Sequence, residues 1–229
     1  HKKQFIEDWW KFYSMIQKIK ASKSEKIIFI FIIVLASFSF GSFFLIKDKC
    51  LFVKDYDPKK IKFDKPENIA VLNVPCGNVI IELYPEISPN GVKRFITLVK
   101  SKAYDDVAFH RVIKDVLVQT GDLEFGKKGN IDYGKIGTGE SGLGTINSEV
   151  DNPFNFEKGS VALARTQKYN TEDSQFFIIL RDEPLYETEY TPIGKVIFGL
   201  KALEKIKYLD KSQFVLRPDY INTIRMLIN

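Results

Sequence analysis

The apolar residues of this chain follow two different patterns. Residues 27–46 form a run of twenty residues without a charge, which as a helix rising about 1.5 Å per residue would span roughly 30 Å, the thickness of a bilayer core. Beyond residue 67 the apolar residues come in short runs bounded by turn-forming residues, as is typical of β-strands. The pattern predicts one transmembrane helix followed by a mainly β domain.

The β-rich part begins with a predicted hairpin, in which strands at 69–74 and 79–84 flank a turn at 76–78. Further strands are predicted at residues 108–113, 116–119, 160–163, 176–180, 193–198 and 220–227. Many short strands with few helices favour a closed β-barrel with covered ends, because closure removes unpaired strand edges.

Two helices are predicted within the β-rich part. Ser88 is a suitable N-cap and Pro89 a suitable first residue for the first of them. Its apolar stripe has helical spacing and consists of Val92, Phe95, Ile96 and Val99. The second helix is predicted over residues 200–209, and both are expected to cover the core of the barrel.

The region before the apolar run predicts a helix of its own. Its apolar residues recur at steps of three and four, at Phe5, Trp9, Phe12, Ile16 and Ile19. Such a stripe lies either on a membrane surface or against a partner helix. Ser22 and Glu25 have the spacing of a capping box at the start of the apolar helix.

The positive charge is concentrated at one end of the chain. The formal net charge is +5, and residues 1–26 hold seven lysines against three acidic residues, a net +4. The near-neutral remainder argues against nucleic-acid binding. Because positive flanks stay in the cytoplasm, the domain after residue 46 is expected outside, in a bacterium in the periplasm. A cleaved signal peptide is the less favoured alternative, since no small-residue cleavage site follows the run.

The titratable residues exclude several enzyme classes. The chain lacks a second usable histidine, a nucleophile elbow and any cluster with metal-ligand spacing, so hydrolase and metal chemistry are not expected. The glycine-rich residues 137–144 lack the lysine of a phosphate loop and are interpreted as a groove loop. No spacing ties Cys50 to Cys76, and two free thiols are predicted.

Three motifs carry a resemblance to a known family. Phe-His-Arg-Val-Ile at 109–113, Gln-Thr-Gly-Asp at 119–122 and Ser-Gln-Phe-Phe-Ile at 174–178 together resemble the cyclophilins. The resemblance covers about 67–229, and its detail at 137–142, 164–166 and 218–219 is most similar to alphaproteobacterial members. It implies an eight-stranded antiparallel barrel capped by two helices and peptidyl-prolyl cis/trans isomerase activity, with no cofactor.

These motifs and the charge pattern divide the chain into four parts. Residues 1–26 are a cytoplasmic basic amphipathic segment, 27–46 the transmembrane helix, 47–66 a polar tether and 67–229 the cyclophilin-like domain.

The resemblance also implies roles for individual residues. Arg111 is implied as the catalytic cation, Gln119 as the residue that orients it, and Phe177 as the floor of the proline pocket. The implied substrate-binding residues are Val116, Leu117, Gly137, Thr138, Thr166, Leu185 and Tyr190. Val116 and Leu185 stand where the family usually has Phe and Trp. These departures imply weaker binding of proline and weak binding of cyclosporin-type inhibitors.

The implied chemistry needs only one well-placed cation. Rotation about a peptide bond is opposed by about 18–20 kcal/mol of partial double-bond character. A guanidinium that donates toward the prolyl nitrogen favours its pyramidal, single-bonded form. Strand alternation turns His110 away from the Arg111 side chain, so His110 is interpreted as a structural residue with satisfied hydrogen bonds. Likewise, Phe176 and Phe177 must point to opposite faces.

Three functions remain open at this point. The first is a membrane-anchored isomerase that acts on proline-containing segments and assists the folding of exported or membrane proteins. The second is a low-activity cyclophilin domain that serves as a chaperone or peptide-binding module. The third is a structural membrane subunit whose N-terminal helices bind a partner without the β domain.

Overall fold

The computed structural model describes residues 7, 11, 14, 22–47, 49–209 and 212–228, and for 40–47 it describes the backbone only. The chain divides into two compact units, His1–Leu51 and Phe52–Asn229. The predicted N-terminal apolar stripe at Phe5, Trp9, Phe12, Ile16 and Ile19 lies outside the described residues.

The first unit contains helix α1, which spans Lys23–Lys47. The predicted capping box is confirmed, because the Ser22 amide donates to Glu25 Oε2 at 2.7 Å and the Glu25 amide donates to Ser22 Oγ at 3.3 Å. Over the residues that the structure describes, no helix combines the length and the apolar character needed to cross a membrane. The transmembrane helix predicted at 27–46 is therefore not confirmed.

The second unit is built on one curled antiparallel sheet of eight strands. The strands are β1 (Ile69–Val74), β2 (Gly77–Leu83), β3 (Arg111–Ile113), β4 (Leu117–Thr120), β5 (Ser160–Leu163), β6 (Phe176–Ile179), β7 (Pro192–Phe198) and β8 (Thr223–Met226). Their hydrogen-bonded order is β3-β4-β6-β5-β7-β2-β1-β8. Each predicted strand is present, although several are shorter than predicted at one or both ends.

The sheet is open, which corrects the predicted closed barrel. β3 and β8 lie at its two ends, and within the described residues these strands do not pair with each other. An irregular segment lies along β3 instead, where the Val112 amide donates to Gln213 O at 2.8 Å and the Val215 amide donates to His110 O at 3.0 Å. The edge of β3 thus satisfies its backbone groups without a neighbouring strand.

The structure describes two α-helices within the second unit, and one is shorter than predicted. Helix α2 spans Pro89–Lys100 and buries the predicted positions Val92, Phe95 and Val99, whereas helix α3 spans only Leu200–Leu203. The predicted extension to residue 209 does not form, because the chain turns and the Lys207 amide donates to Asp219 Oδ2 at 2.8 Å. Short 3₁₀ turns occur at Pro58–Lys60, Pro66–Asn68 and Pro184–Tyr186.

An aromatic cluster joins α2 to the sheet. The Phe176 ring makes edge contacts with Phe95 and Tyr104, with ring centres 5.3 Å apart in each case. All three side chains are fully buried. Such edge-to-face pairs add about 0.5–1.5 kcal/mol beyond area burial. This face of the sheet packs against α2. The neighbouring residue Phe177 lies on the opposite face, in a separate apolar cluster with Leu117, Phe154, Phe156, Ala162 and Ile179.

The segment before β1 is joined to the sheet. The Asn78 amide donates to Asp55 Oδ1 at 2.7 Å, and Asn78 Nδ2 donates to Tyr56 O at 3.1 Å. The Tyr56 ring also packs against Phe198, with ring centres 5.2 Å apart. Residues 55 and 56, which the sequence analysis placed in a tether, thus pack against the hairpin and β7.

The prediction of two free thiols is wrong. Neither Cys50 nor Cys76 is free, since both are disulfide-bonded. The prediction relied on sequence spacing, and the spacing of two cysteines does not determine whether they are oxidised.

The start of α2 is capped by a residue far away in sequence. Ser88 occupies the N-cap position but its hydroxyl makes no capping bond. The Glu149 carboxylate accepts from the Asn90 amide at 3.2 Å and from the Gly91 amide at 2.9 Å. A negative group at this position also complements the helix dipole.

Replacement of Glu149 by Ala should therefore destabilise the domain. We expect a loss of about 1 kcal/mol in the free energy of unfolding, because two helix amides lose their acceptor. Urea unfolding followed by circular dichroism measures the loss, with exposed Glu67→Ala as the matched control. Equal stability of the two variants would contradict the capping role.

Candidate active site

The three residues predicted to carry the chemistry form one row across the sheet. Arg111 on β3 is paired with Gln119 on β4, and Gln119 is paired with Phe177 on β6. Phe177 is in turn paired with Ala162 on β5. Directly paired residues of an antiparallel sheet point to the same face. The register therefore places a cation, an amide and an aromatic ring side by side on the face opposite the Phe176 core.

The guanidinium of Arg111 is held by two side-chain amides. Its Nε donates to Gln213 Oε1 at 2.8 Å, and its Nη1 donates to Gln119 Oε1 at 3.0 Å. The residue is half-buried, and no carboxylate forms an ion pair with it among the described residues. Neutral acceptors leave the positive charge of the guanidinium available to a ligand.

A chain of amides continues from Gln119 into the groove loop. Gln119 Nε2 donates to Gln175 Oε1 at 3.2 Å. Gln175 Nε2 then donates to the carbonyl oxygens of Gly137 at 3.0 Å and Gly139 at 3.1 Å. Each side-chain amide in this series is oriented by the next one. The series of hydrogen bonds therefore orients the oxygen of Gln119 toward the guanidinium.

The Gly121-Asp122 pair of the second motif holds this loop in place. Gly121 has φ +92°, and a Cβ there would lie 2.5 Å from the Ser174 carbonyl oxygen, so only glycine is accommodated. The buried Asp122 carboxylate accepts from the amides of Gly137 at 2.6 Å and Gly139 at 3.1 Å. It also accepts from the amides of Glu124 and Phe125. Gly121 and Asp122 thus shape the site without lining either cavity.

A small cavity lies beside the guanidinium. It has a volume of about 70 Å³ and is lined by Arg111, Leu117, Gln119, Ala164, Arg165, Phe177, Tyr186 and Tyr190. Phe177 is 3% exposed and meets Tyr190 edge-on, with ring centres 4.9 Å apart. Tyr186 meets Phe177 in the same way at 5.8 Å. Arg111, Gln119 and Phe177, the three residues predicted as catalytic, therefore all line this cavity.

A second cavity, of about 200 Å³, adjoins the first. It shares Gln119, Ala164 and Arg165 with the small cavity, and it is lined in addition by Gly137, Thr138, Gly139, Glu140, Thr166, Thr171, Asp173, Ser174 and Gln175. The predicted groove residues Gly137, Thr138 and Thr166 therefore lie together here. The Gly137 amide is used within the protein, so a ligand in this groove must find its hydrogen-bond donors elsewhere, whereas the Gly137 carbonyl oxygen accepts one bond from Gln175 and keeps a second lone pair.

Two predicted substrate-binding residues stand outside the cavity walls. Leu185 is 82% exposed and lines neither cavity. Val116 is half-buried, packs against the apolar cluster that contains Phe177, and lines neither cavity. In contrast, Leu117 and Tyr190 do line the small cavity. The aromatic wall at this end comes from Tyr186 and Tyr190.

Arg165 is a functional candidate that the sequence analysis did not single out. Its Nη2 donates to Glu189 Oε2 at 2.6 Å and its Nε donates to Glu189 O at 2.8 Å. The guanidinium also lies over the Tyr169 ring at 4.2 Å and the Tyr190 ring at 5.2 Å. Cation–π contacts of this kind hold the rings in place. Arg165 thus supports the wall that faces Phe177.

His110 is buried, but its predicted hydrogen bonds are missing. It is 1% exposed, and neither ring nitrogen has a hydrogen-bond partner among the described residues. Burial lowers the pKa of His110 from 6.5 to about 4, although the nearby Asp122 carboxylate opposes this shift. The ring is therefore neutral at physiological pH and is not placed to act as a base on the Arg111 face.

The site residues that were not predicted differ in whether the sequence carries a signal for them. Gln175 stands inside the third motif, and Arg165 stands within the quoted stretch 164–166. Gln213 belongs to no motif and meets Arg111 across 102 positions of sequence. Local patterns carry no signal for such a contact, since it depends on how the irregular segment lies along β3.

The comparisons with known proteins agree with this geometry. The family model described as cyclophilin type peptidyl-prolyl cis-trans isomerase/CLD matches residues 69–226. A probable peptidyl-prolyl cis-trans isomerase of Brucella suis is 42% identical over 160 residues, which cover 68% of this chain and 81% of the relative. Peptidyl-prolyl cis-trans isomerase-like 3 of Gallus gallus is 32% identical over 154 residues, covering 65% and 88% of the two chains.

A solved structure supports the same likeness. It is a Cryptosporidium parvum cyclophilin type peptidyl-prolyl cis-trans isomerase, crystallised in the presence of the dipeptide Ala-Pro. Its TM-score is 0.61 at 26% sequence identity, and the match covers 70% of this chain and 99% of that chain. The fold match thus extends over nearly the whole of the neighbour.

The buried His110 predicts a pH-dependent stability. The unfolded chain takes up a proton near pH 6.5 that the folded chain resists until about pH 4. Stability should therefore fall as pH drops through this window, by about 2 kcal/mol between pH 7 and pH 5 from this residue. Urea unfolding at the two pH values measures the loss, and His110→Asn should remove most of it. The same loss in His110→Asn would contradict the assignment.

Proposed function

Because the chain belongs to the cyclophilin-type peptidyl-prolyl cis-trans isomerases, we propose that Arg111 is the cation that catalyses its isomerase reaction. The family model and the named relatives establish the class of enzyme. The observation that carries the residue assignment is the single row of Arg111, Gln119 and Phe177 on one face of the sheet. Gln119 orients the guanidinium and Phe177 receives the prolyl ring.

The mechanism follows from the charge and the shape of the small cavity. Rotation about the X-Pro bond requires loss of amide resonance, and the nitrogen then becomes pyramidal with a localised lone pair. A fixed guanidinium beside that nitrogen stabilises the rotated state more than the planar one. Arginine suits this role because it stays protonated and keeps a rigid planar fork. No covalent intermediate, metal or cofactor takes part in this scheme.

The apolar floor of the cavity supports binding of the prolyl ring. Phe177, Leu117 and Tyr190 offer apolar surface beside the guanidinium. A ring that packs there excludes water from the cation, which strengthens its interaction with the prolyl nitrogen. The neighbour crystallised in the presence of Ala-Pro supports proline-containing peptides as ligands of this chain. The groove beside Thr138 and Thr166 is proposed to hold the adjoining peptide residues.

A second candidate function is a slow peptide-binding module. Leu185 is exposed and Val116 packs elsewhere, so neither lines the small cavity. The cavity therefore has less apolar lining than the resemblance implied. Less apolar contact lowers the affinity for proline and, by the same reasoning, for cyclosporin-type inhibitors. A chain of this kind would hold unfolded segments while it turns them over slowly.

We further propose that the enzyme domain works outside the cytoplasm and is anchored to the inner membrane through residues 27–46. Support comes from the uncharged run, from the lysines that precede it and from the disulfide-bonded state of Cys50 and Cys76. Disulfides persist in oxidising compartments such as the bacterial periplasm. The clients would then be exported or membrane proteins, and a likeness to alphaproteobacterial members remains part of this proposal.

Replacement of Arg111 by Ala tests the catalytic assignment. We expect the rate of cis/trans exchange of a Xaa-Pro peptide to fall about 100- to 1000-fold, because the transition state loses a fixed charged donor. NMR exchange spectroscopy measures this rate directly. Arg181→Ala, which removes an exposed guanidinium paired with Glu183, is the matched control and should keep full activity. Equal exchange in wild type and Arg111→Ala would favour the peptide-binding module.

Fractionation of cells that express the full chain tests the proposed location. The chain should be found in the membrane fraction, and protease added to spheroplasts should digest the domain while an N-terminal epitope stays protected. A variant that lacks residues 27–46 serves as the control and should lose membrane association. A soluble full chain, or a domain protected from added protease, would overturn this part of the proposal.

A further inference from the structure

The guanidinium of Arg111 has a second amide partner that the family motifs do not contain. Gln213 Oε1 accepts from Arg111 Nε at 2.8 Å, whereas Gln119 binds the opposite side of the guanidinium through Nη1. Two acceptors on different nitrogens fix the rotation of a planar group, which one acceptor cannot do. We propose that Gln213 is a positioning residue for the isomerase reaction, acting through the Nε hydrogen of Arg111.

The backbone around Gln213 is anchored to the strand that carries Arg111. Gln213 O accepts from the Val112 amide at 2.8 Å, and the Val215 amide donates to His110 O at 3.0 Å. Arg111 and Phe214 also form an isolated bridge. The Val215 side chain is buried. The chain on each side of Gln213 is thus fixed relative to β3.

A local turn adds a further constraint. The Ser212 hydroxyl accepts from the Phe214 amide at 3.2 Å and donates to Phe214 O at 3.1 Å. Since both the backbone and the turn are fixed, the Gln213 side chain reaches the guanidinium from a defined position. An acceptor in a fixed position restricts the rotation of the arginine side chain before substrate binds. Less side-chain entropy is then lost on binding.

The two amides bind Nε and Nη1 of Arg111 and leave Nη2 available to a ligand. Among the described residues, Arg111 Nη2 makes no hydrogen bond. With Nε held by Gln213 and Nη1 held by Gln119, the guanidinium lines the small cavity above Phe177 in one orientation. Gln213 therefore acts on the reaction by orientation and does not itself touch the prolyl ring.

This inference rests on the proposed role of Arg111, and a double-mutant cycle separates the two. Gln213→Met keeps the length of the side chain but removes the acceptor, and should lower kcat about fivefold with KM for a Xaa-Pro peptide little changed. In an Arg111→Lys background the same replacement should have no further effect, because lysine has no Nε hydrogen. Gln213→Asn keeps a neutral amide acceptor on a side chain one carbon shorter and should recover part of the rate.

A spectroscopic measurement tests the contact even if Arg111→Lys has too little activity for the cycle. The Nε–H signal of Arg111, assigned by its loss in Arg111→Lys, should exchange slowly with water in the wild type and rapidly in Gln213→Met. Asn130→Leu, which removes an exposed amide from another loop, is the control. Thermal unfolding of each variant separates a local effect from a loss of folding.

Three results would overturn the inference. They are unchanged kcat in Gln213→Met, an equal loss in the wild-type and Arg111→Lys backgrounds, and fast exchange of the Arg111 Nε hydrogen in the wild type. The outcome for the proposed function is distinguishable, since Arg111→Ala tests that function alone. Full activity of Arg111→Ala would reject the catalytic cation, whereas an inactive Arg111→Ala with a fully active Gln213→Met would reject only the role of Gln213.

Discussion

The candidate site depends on one constraint, which is that a guanidinium must be kept beside an apolar floor in a fixed orientation without an anionic partner. In the proposed mechanism a carboxylate would neutralise the charge that acts on the substrate, and the protein instead holds Arg111 with the oxygens of neutral amides. Amides must themselves be oriented, and Gln175 and the carbonyls of the groove loop do this for Gln119. The site therefore extends well beyond the residues that line the cavity.

The scaffold explains why the motifs lie where they do along the chain. The two faces of β6 are used differently, since Phe176 packs in the core against α2 and Phe177 faces the cavity. Gly121 permits the close approach of Ser174, and Asp122 fixes the loop at 137–139. The motif Gln-Thr-Gly-Asp thus combines one residue of the site, Gln119, with two that build its surroundings.

The sequence predicted what local patterns determine. The eight strands, α2, the capping box at Ser22 and the row of Arg111, Gln119 and Phe177 follow from periodicity or from motifs. Features that depend on long-range packing were missed or wrong. These are the open edge of β3, the cap that Glu149 supplies to α2, the disulfide-bonded cysteines, the unpaired His110 and the contact of Gln213 with Arg111. None of these features is encoded by a local pattern in the sequence.

A structure of the protein with a bound Xaa-Pro peptide tests the central claim most directly. The account predicts that the prolyl ring lies over Phe177 and that its nitrogen lies about 3 Å from a guanidinium nitrogen of Arg111, within reach of a hydrogen bond. A peptide bound with its proline away from Phe177, or with Arg111 turned from the prolyl nitrogen into solvent, would contradict it.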